Sequence, residues 1–211
     1  MIESVNRVNI TRMAALDLGL TSDRRELASR AAAGPASRLA RARVSANPVH
    51  SAYPDSMKLG IVSDTHGLLR AEVLPALKGV DQILHAGDVG KISILDELAK
   101  IAPVTAIRGN VDCEGACGKL PETEVVIFEG RYIYMLHDLK TLHLDPAAGK
   151  FAAVLHGHTH VPNFYTKKGV LYFNPGSCGP RRFELPVTVG LLTIDKSGAL
   201  KPEIVNLELA K

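Results

Sequence analysis

A chain of 211 residues, 46% hydrophobic and 22% charged, is long enough for one good-sized domain with a real core, and its composition is ordinary for a globular protein. It holds no run of about 18 apolar residues, which excludes a membrane-spanning helix. The net charge of +3 is confined to residues 1–56, with eight Arg, no Lys and five acidic residues; the remaining 155 carry 17 basic and 17 acidic groups, so no basic stripe argues for nucleic-acid binding.

The first 56 residues are rich in Ala, Arg and Ser, with Gly34-Pro35 and Asn47-Pro48 as breakers. Short helices could form between Leu16 and Leu39, but no strand or chemical motif stands out. Three readings are open: a disordered extension, an organellar-type targeting peptide, or translated sequence ahead of a start at Met57. Four acidic residues before residue 27 weigh against targeting. The expectation is a dispensable extension over 1–56 and a single domain over 57–211.

From Met57 the texture changes. Lys58 to Ser63 reads as a buried strand entering the loop Asp64-Thr65-His66-Gly67. Leu69 to Leu77 reads as a helix despite Pro75, and Gln82 to Ala86 as the next strand, ending in Gly87-Asp88. Ile92 to Ile101 is amphipathic, with Ile92, Leu95, Leu98 and Ala99 on one face and Ser93 as a cap. Val104 to Ile107 is a third strand, ending in Arg108-Gly109-Asn110-Val111-Asp112. A β-α-β-α-β opening predicts parallel strands with right-handed crossovers, and ligands collect at the carboxyl ends of such strands.

After Pro121 the pattern turns to hairpins. Glu124 to Phe128 and Arg131 to Leu136 flank Glu129-Gly130, and the second of these strands ends at His137-Asp138. Phe151 to Leu155 leads into His156-Gly157-His158-Thr159-His160, which places three of the eight histidines within five residues. Asn163 to Thr166 and Val170 to Phe173 flank Lys167-Lys168-Gly169, and the loop Asn174-Pro175-Gly176-Ser177 follows. Val187 to Ile194 and Leu200 to Leu207 close the chain as a hairpin around Ser197-Gly198. A parallel first half joined to an antiparallel second half predicts two packed sheets flanked by helices.

Asp64, His66, Asp88, Asn110, His137, His158 and His160 all fall at predicted strand ends, with about 20 to 30 residues between groups, roughly one strand plus one crossover. Carboxylate, amide and imidazole donors mixed in this way suit Mn²⁺, Fe or Zn²⁺ better than Ca²⁺. Seven ligands are too many for one tetrahedral ion, whereas two ions sharing a carboxylate would use them all. Each piece alone is weak: Asp-x-His is common, Gly-Asp and Gly-Asn can be turn chemistry, and a histidine can be a hydrogen-bonded core residue. Their joint placement carries the argument.

Asp64-x-His66, Gly87-Asp88, Gly109-Asn110-x-Asp112, His137 and Gly157-His158-Thr159-His160 resemble the five motif blocks of the calcineurin-like metallophosphoesterases, and Asn174-Pro175-Gly176-Ser177 resembles a signature of its small YfcE-type phosphodiesterase branch. The resemblance implies an α/β fold, a four-layer α/β/β/α sandwich of two mixed sheets. It also implies two divalent metal ions, Mn²⁺ or else Zn²⁺, Fe or Ni²⁺. Asp64, His66 and His160 would hold the first ion, Asn110, His137 and His158 the second, and Asp88 would bridge them. Asn110 could also touch the phosphate. His156 has no ligand role in the pattern. The implied activity is hydrolysis of phosphate esters, phosphodiesters foremost, by a metal-bridging hydroxide attacking phosphorus.

Two departures from the family pattern bear on substrate. Many relatives carry a histidine after Gly-Asn, where it can assist the leaving group; here the residue is Val111, which fits phosphodiesters or activated esters better than protein phosphatase work. Many also read His-Gly-His near the fifth ligand, where this chain has His137-Asp138-Leu139. Arg181-Arg182 could bind an anionic substrate or stand as a solvated pair. The rival reading is a scaffold of this fold that lost catalysis and binds a protein partner; the complete ligand set argues against it. Cys113, Cys117 and Cys178 are too few for a disulfide framework, which suits a reducing, cytoplasmic setting. The expected partner is a small phosphate ester, with no membrane; a homo-oligomer is compatible with the sequence.

Overall fold

A computed structural model describes residues 56–128 and 130–207. The expected extension up to residue 55, and Glu129 of the first hairpin turn, lie outside the described residues. Among the described residues ten strands form two five-stranded sheets. The first contains β1 (Ser56–Val62), β2 (Gln82–His85), β3 (Val104–Ala106), β9 (Thr188–Asp195) and β10 (Leu200–Asn206), in the order β10-β9-β1-β2-β3. The second contains β4 (Thr123–Phe128), β5 (Arg131–Leu136), β6 (Phe151–Leu155), β7 (Asn163–Lys167) and β8 (Val170–Asn174), in the order β4-β5-β6-β8-β7.

Both sheets are mixed. β1 pairs parallel with β2 and β2 with β3, as the opening pattern predicts, while β9 adds to β1 antiparallel. The second half departs from the all-antiparallel expectation, because β5, β6 and β8 run parallel between two antiparallel edge strands. The crossover from β5 to β6 contains only a 3-10 turn, Leu139–Thr141, so no helical periodicity announces it.

Alternation along the strands divides the core. Leu59, Ile61 and Leu84 meet Ile133, Met135, Leu155 and Phe173 between the sheets. Val62 and Ile83 face outward onto Val73 and Leu77 of the α1 region (Val73–Ala76) and onto Ile94 and Leu98 of α2 (Ser93–Leu98). Each such buried side chain contributes about 1.5–3 kcal/mol. Beyond the second sheet, Val125, Tyr134, Val154 and Tyr172 are covered by Leu139, Leu142 and Ala147. The four layers follow the expected order, the last being a 3-10 turn and irregular chain.

The helices are shorter than predicted. Pro75 has no N–H to return to the preceding turn, and α1 keeps only four residues. In α2, Ser93 lies inside the helix and caps nothing; the buried positions are Ile94 and Leu98, with Ile92 exposed. Among the described residues no helix is long and apolar enough to cross a membrane.

Candidate metal centre

The loops after β1 and β2 extend the ladder past the strands: Asp64 N–H donates to Gly87 O at 3.0 Å, His66 N–H to Asp88 O at 2.9 Å and Gly67 N–H to Val89 O at 2.9 Å. The second sheet extends its own ladder in the same way, with Gly157 N–H donating to His137 O at 3.0 Å, and joins this edge through His158 N–H to Asp64 Oδ2 at 3.1 Å. Eight described non-glycine residues have positive φ, and five of them are Asp64, His66, Asp88, His158 and His160. Such backbone costs about 1–3 kcal/mol per residue and persists only where surrounding contacts over-determine it.

The structure brings all seven sequence-predicted residues to this edge. Asp64 Oδ1 lies 3.3 Å from His160 Nε2, 3.8 Å from His66 Nε2 and 4.0 Å from His137 Nε2. Asp88 Oδ2 lies 3.3 Å from His137 Nε2 and 3.7 Å from His66 Nε2, while its Oδ1 accepts the Val111 N–H at 3.0 Å. His66 and His160 rings stack, their Nε2 atoms 3.1 Å apart. His158 Nδ1 and Asn110 Oδ1 are 3.0 Å apart, and the His158 ring meets His137 edge-on. Two groups could each hold a cation: Asp64, His66 and His160, and Asp64, Asp88 and His137.

Asp64, Asp88, His137 and His160 are buried, whereas Asn110 is exposed. Among the described residues, the buried side-chain polar atoms without a hydrogen-bond partner are Asp64 Oδ1, His137 Nε2 and His160 Nδ1, all in this cluster. An unsatisfied buried polar atom costs about 1–3 kcal/mol. Their concentration on residues that face one another fits a site completed by cations.

Burial pushes the Asp64 carboxyl up, but the His160 ring, the Ser63 hydroxyl and the nearby imidazoles outweigh it and hold the pKa below the usual range. Asp88 behaves alike: burial opposes, and His137 and the Val111 N–H prevail to lower it. Burial would lower His137, yet Asp88 and Ala86 O raise it overall. Its Nδ1–H donates to Ala86 O at 2.8 Å, which fixes the tautomer so that Nε2 faces the cluster. Burial lowers His66 against the pull of Asp88 and Asp64.

Close approach explains two glycines. A Cβ at Gly109 would strike Asp88, and one at Gly157 would strike the Ser63 hydroxyl and Asp64 Oδ2. His156, given no ligand role, is buried with Nδ1 3.4 Å from Asn174 Nδ2, and burial lowers its pKa.

Several residues that hold the site had no role in the sequence reading. Asp112 accepts N–H groups from Val89, Gly90 and Gly109 at 2.8–2.9 Å and so buckles the Asp88 loop to the Asn110 loop. His85 is fully buried, accepts the Gly87 N–H and meets Thr65 Oγ1 at 3.0 Å; burial lowers its pKa to about 4. Asn174 donates to Gly157 O and Thr159 Oγ1, fixing the histidine turn, and Ser177 Oγ donates to Asp64 O. Asp112 and Asn174 stood in recognisable motifs, but their tasks are long-range hydrogen bonds that no spacing encodes. A separate cavity of about 580 Å³, lined by Arg131, Lys150, Phe151, Phe164 and Lys168, sits where β5, β6 and β8 begin, at the end opposite the histidines.

Residues 57–197 match the family model described as the calcineurin-like phosphoesterase superfamily domain. The chain is 31% identical over 162 residues to a Methanocaldococcus jannaschii protein named "Probable metallophosphoesterase", covering 72% of this chain and 83% of the relative. It is 31% identical over 167 residues to phosphodiesterase YfcE of Escherichia coli K12, covering 66% and 89%. A solved structure of vacuolar protein sorting 29 from Cryptosporidium parvum shares the fold, with TM-score 0.59, 17% identity, and coverage of 74% of this chain and all of that one. With the family match spanning most of the chain and its motif residues gathered at one sheet edge, the chain belongs to the calcineurin-like phosphoesterase superfamily.

Proposed function

We propose that the chain hydrolyses phosphate esters, phosphodiesters foremost, using two divalent cations. Asp64, His66 and His160 would hold the first, Asn110, His137 and His158 the second, with Asp88 between them. The observation that carries this is that the buried side-chain polar atoms without a hydrogen-bond partner among the described residues all belong to Asp64, His137 and His160 of that set. Mixed oxygen and imidazole donors favour Mn²⁺, with Zn²⁺, Fe or Ni²⁺ as other fits. When bound, the two ions supply an activated water and positive charge toward the phosphoryl oxygens.

The chain's own residues prepare the rest. Asp64 and Asp88, with lowered pKa values, stay ionised near neutral pH. The Ala86 carbonyl keeps the His137 lone pair aimed inward. Val111 is exposed where a proton donor to the leaving group would stand, which favours diesters with good leaving groups. The test is Mn²⁺-dependent hydrolysis of an aryl phosphodiester, with Asp88→Asn and His158→Ala as controls. No turnover above those controls in metal-loaded protein sinks the reading. The likeness in fold to vacuolar protein sorting 29 favours a second reading, a non-catalytic scaffold for a protein partner, and the same outcome would support it.

A further inference from the structure

The two histidines assigned to the second cation are turned opposite ways. His137 brings Nε2 to within 3.3 Å of Asp88 Oδ2, and its Nδ1–H is given to Ala86 O. His158 instead brings Nδ1 to within 3.0 Å of Asn110 Oδ1, and its Nε2 lies 3.8 Å from Asp138 Oδ2. An imidazole that ligates through Nδ1 must carry its proton on Nε2. Asn110 Oδ1 pulls that proton the wrong way, toward Nδ1. A carboxylate beside Nε2 pulls it back, and at equal distance a charged acceptor is the stronger of the two.

Asp138 is held for that task. Its Oδ1 accepts the Lys140 N–H at 3.0 Å, and its backbone O accepts the Thr141 N–H at 3.0 Å and the Thr141 hydroxyl at 2.8 Å, at the head of the 3-10 turn Leu139–Thr141. One carboxylate oxygen thus fixes the side chain, and the other is turned to His158. The His158 backbone is pinned as well, its N–H on Asp64 Oδ2 and its φ at +69°. The two side chains are only 28% and 37% exposed, so water screens the pair incompletely. Asp138 also stands where the chain departs from the His-Gly-His pattern, and a glycine there would offer no carboxylate.

We propose that Asp138 is a positioning residue for His158: its carboxylate keeps the imidazole proton on Nε2, so that Nδ1 is left bare beside Asn110 to ligate the second cation. This rests on the two-cation reading of the site. The arrangement mirrors His137, where the Ala86 carbonyl holds the proton on the outer nitrogen, and an acceptor on the outer nitrogen is what orients a ligating histidine.

The test has two arms, both on the full chain. Long-range ¹H–¹⁵N correlation spectra of the metal-free protein read the His158 tautomer: the Nε2–H form should dominate, and Asp138→Asn should shift it toward Nδ1–H. Asparagine keeps an oxygen for the Lys140 N–H, so the turn stays while the charge goes. Titration calorimetry with Mn²⁺ should show the weaker-bound ion lose about tenfold or more in affinity in Asp138→Asn, with the other unchanged. Thr141→Val loosens the same turn without touching the carboxylate and should alter neither readout. In a His158→Ala background, Asp138→Asn should have no further effect on Mn²⁺ affinity. An Nδ1–H tautomer in the unaltered protein, a tautomer unmoved by Asp138→Asn, an unchanged Mn²⁺ affinity, or an equal loss with and without His158 overturns the proposal. If the unaltered chain takes up a single ion, the two-cation reading fails, and the tautomer spectra alone decide the role of Asp138.

Discussion

Asp88 presents a single free oxygen to the site: Oδ2 lies 3.3 Å from His137 Nε2 and 3.7 Å from His66 Nε2, while Oδ1 is engaged by the Val111 N–H. One atom thus faces a histidine of each proposed metal group. A sequence argument for a bridging aspartate rests on its having two oxygens; here one is spent on positioning the carboxylate. Asp88→Asn should lower hydrolysis about a hundredfold or more. Metal analysis should find fewer than two ions per chain, and two tightly held ions in this variant would remove Asp88 from between them.

The fully buried His85 makes the metal-free protein sensitive to acid. Its folded pKa of about 4 lies below the unfolded value of 6.5, so the unfolded chain binds the extra proton first. Stability is therefore present above pH 6.5 and is lost as pH falls toward 4. At about 1.4 kcal/mol per pKa unit the loss amounts to about 3 kcal/mol. His66 and His156, also lowered, act in the same direction. His137, whose pKa is raised, acts oppositely: its contribution is present below pH 6.5 and fades as pH rises through its folded value. Urea unfolding from pH 7 to pH 4 should show the decline, and His85→Gln should flatten it; an identical slope in the variant would contradict the assignment.

The three clustered histidines should separate by function. His158→Ala and His160→Ala should each lose tightly bound metal. His156→Phe should keep both ions, because His156 packs against Asn174 and its ring is directed to that side chain. Inductively coupled plasma analysis of the three proteins decides, and metal loss in His156→Phe would show that the outer histidine matters to loading.

Asp112 accepts three backbone N–H groups through one buried carboxylate. Asp112→Ala leaves these donors without their acceptor, so unfolding free energy should drop by about 3 kcal/mol or more. The Asp88 and Asn110 loops should loosen with it, and metal affinity should fall although no proposed ligand has changed. A drop under 1 kcal/mol, of the size typical at an exposed position, would show that water replaces the carboxylate.

Residues 1–56 should be dispensable. β1 pairs with β9 through Met57↔Ile194 and Leu59↔Leu192, and these contacts remain in a chain beginning at Met57. Melting temperature and esterase activity should match the full chain within error; a fall of several degrees would place the extension in the fold.

By itself the sequence determined the opening βαβαβ run, the loops that end its strands, and the identity of the seven residues that meet there. Hydrophobic runs report burial, and Gly-Asp, Gly-Asn and Gly-His dipeptides report chain reversals, so both signals are local. Tertiary structure alone decided that β5, β6 and β8 run parallel, because their crossovers lack a helical pattern to read. It also decided which oxygen of Asp88 faces the site, that Asp112 clasps two loops, and that Arg182 reaches His66 across 116 residues of sequence. These contacts depend on how two sheets pack edge to edge, and nothing in a short window of sequence encodes that geometry.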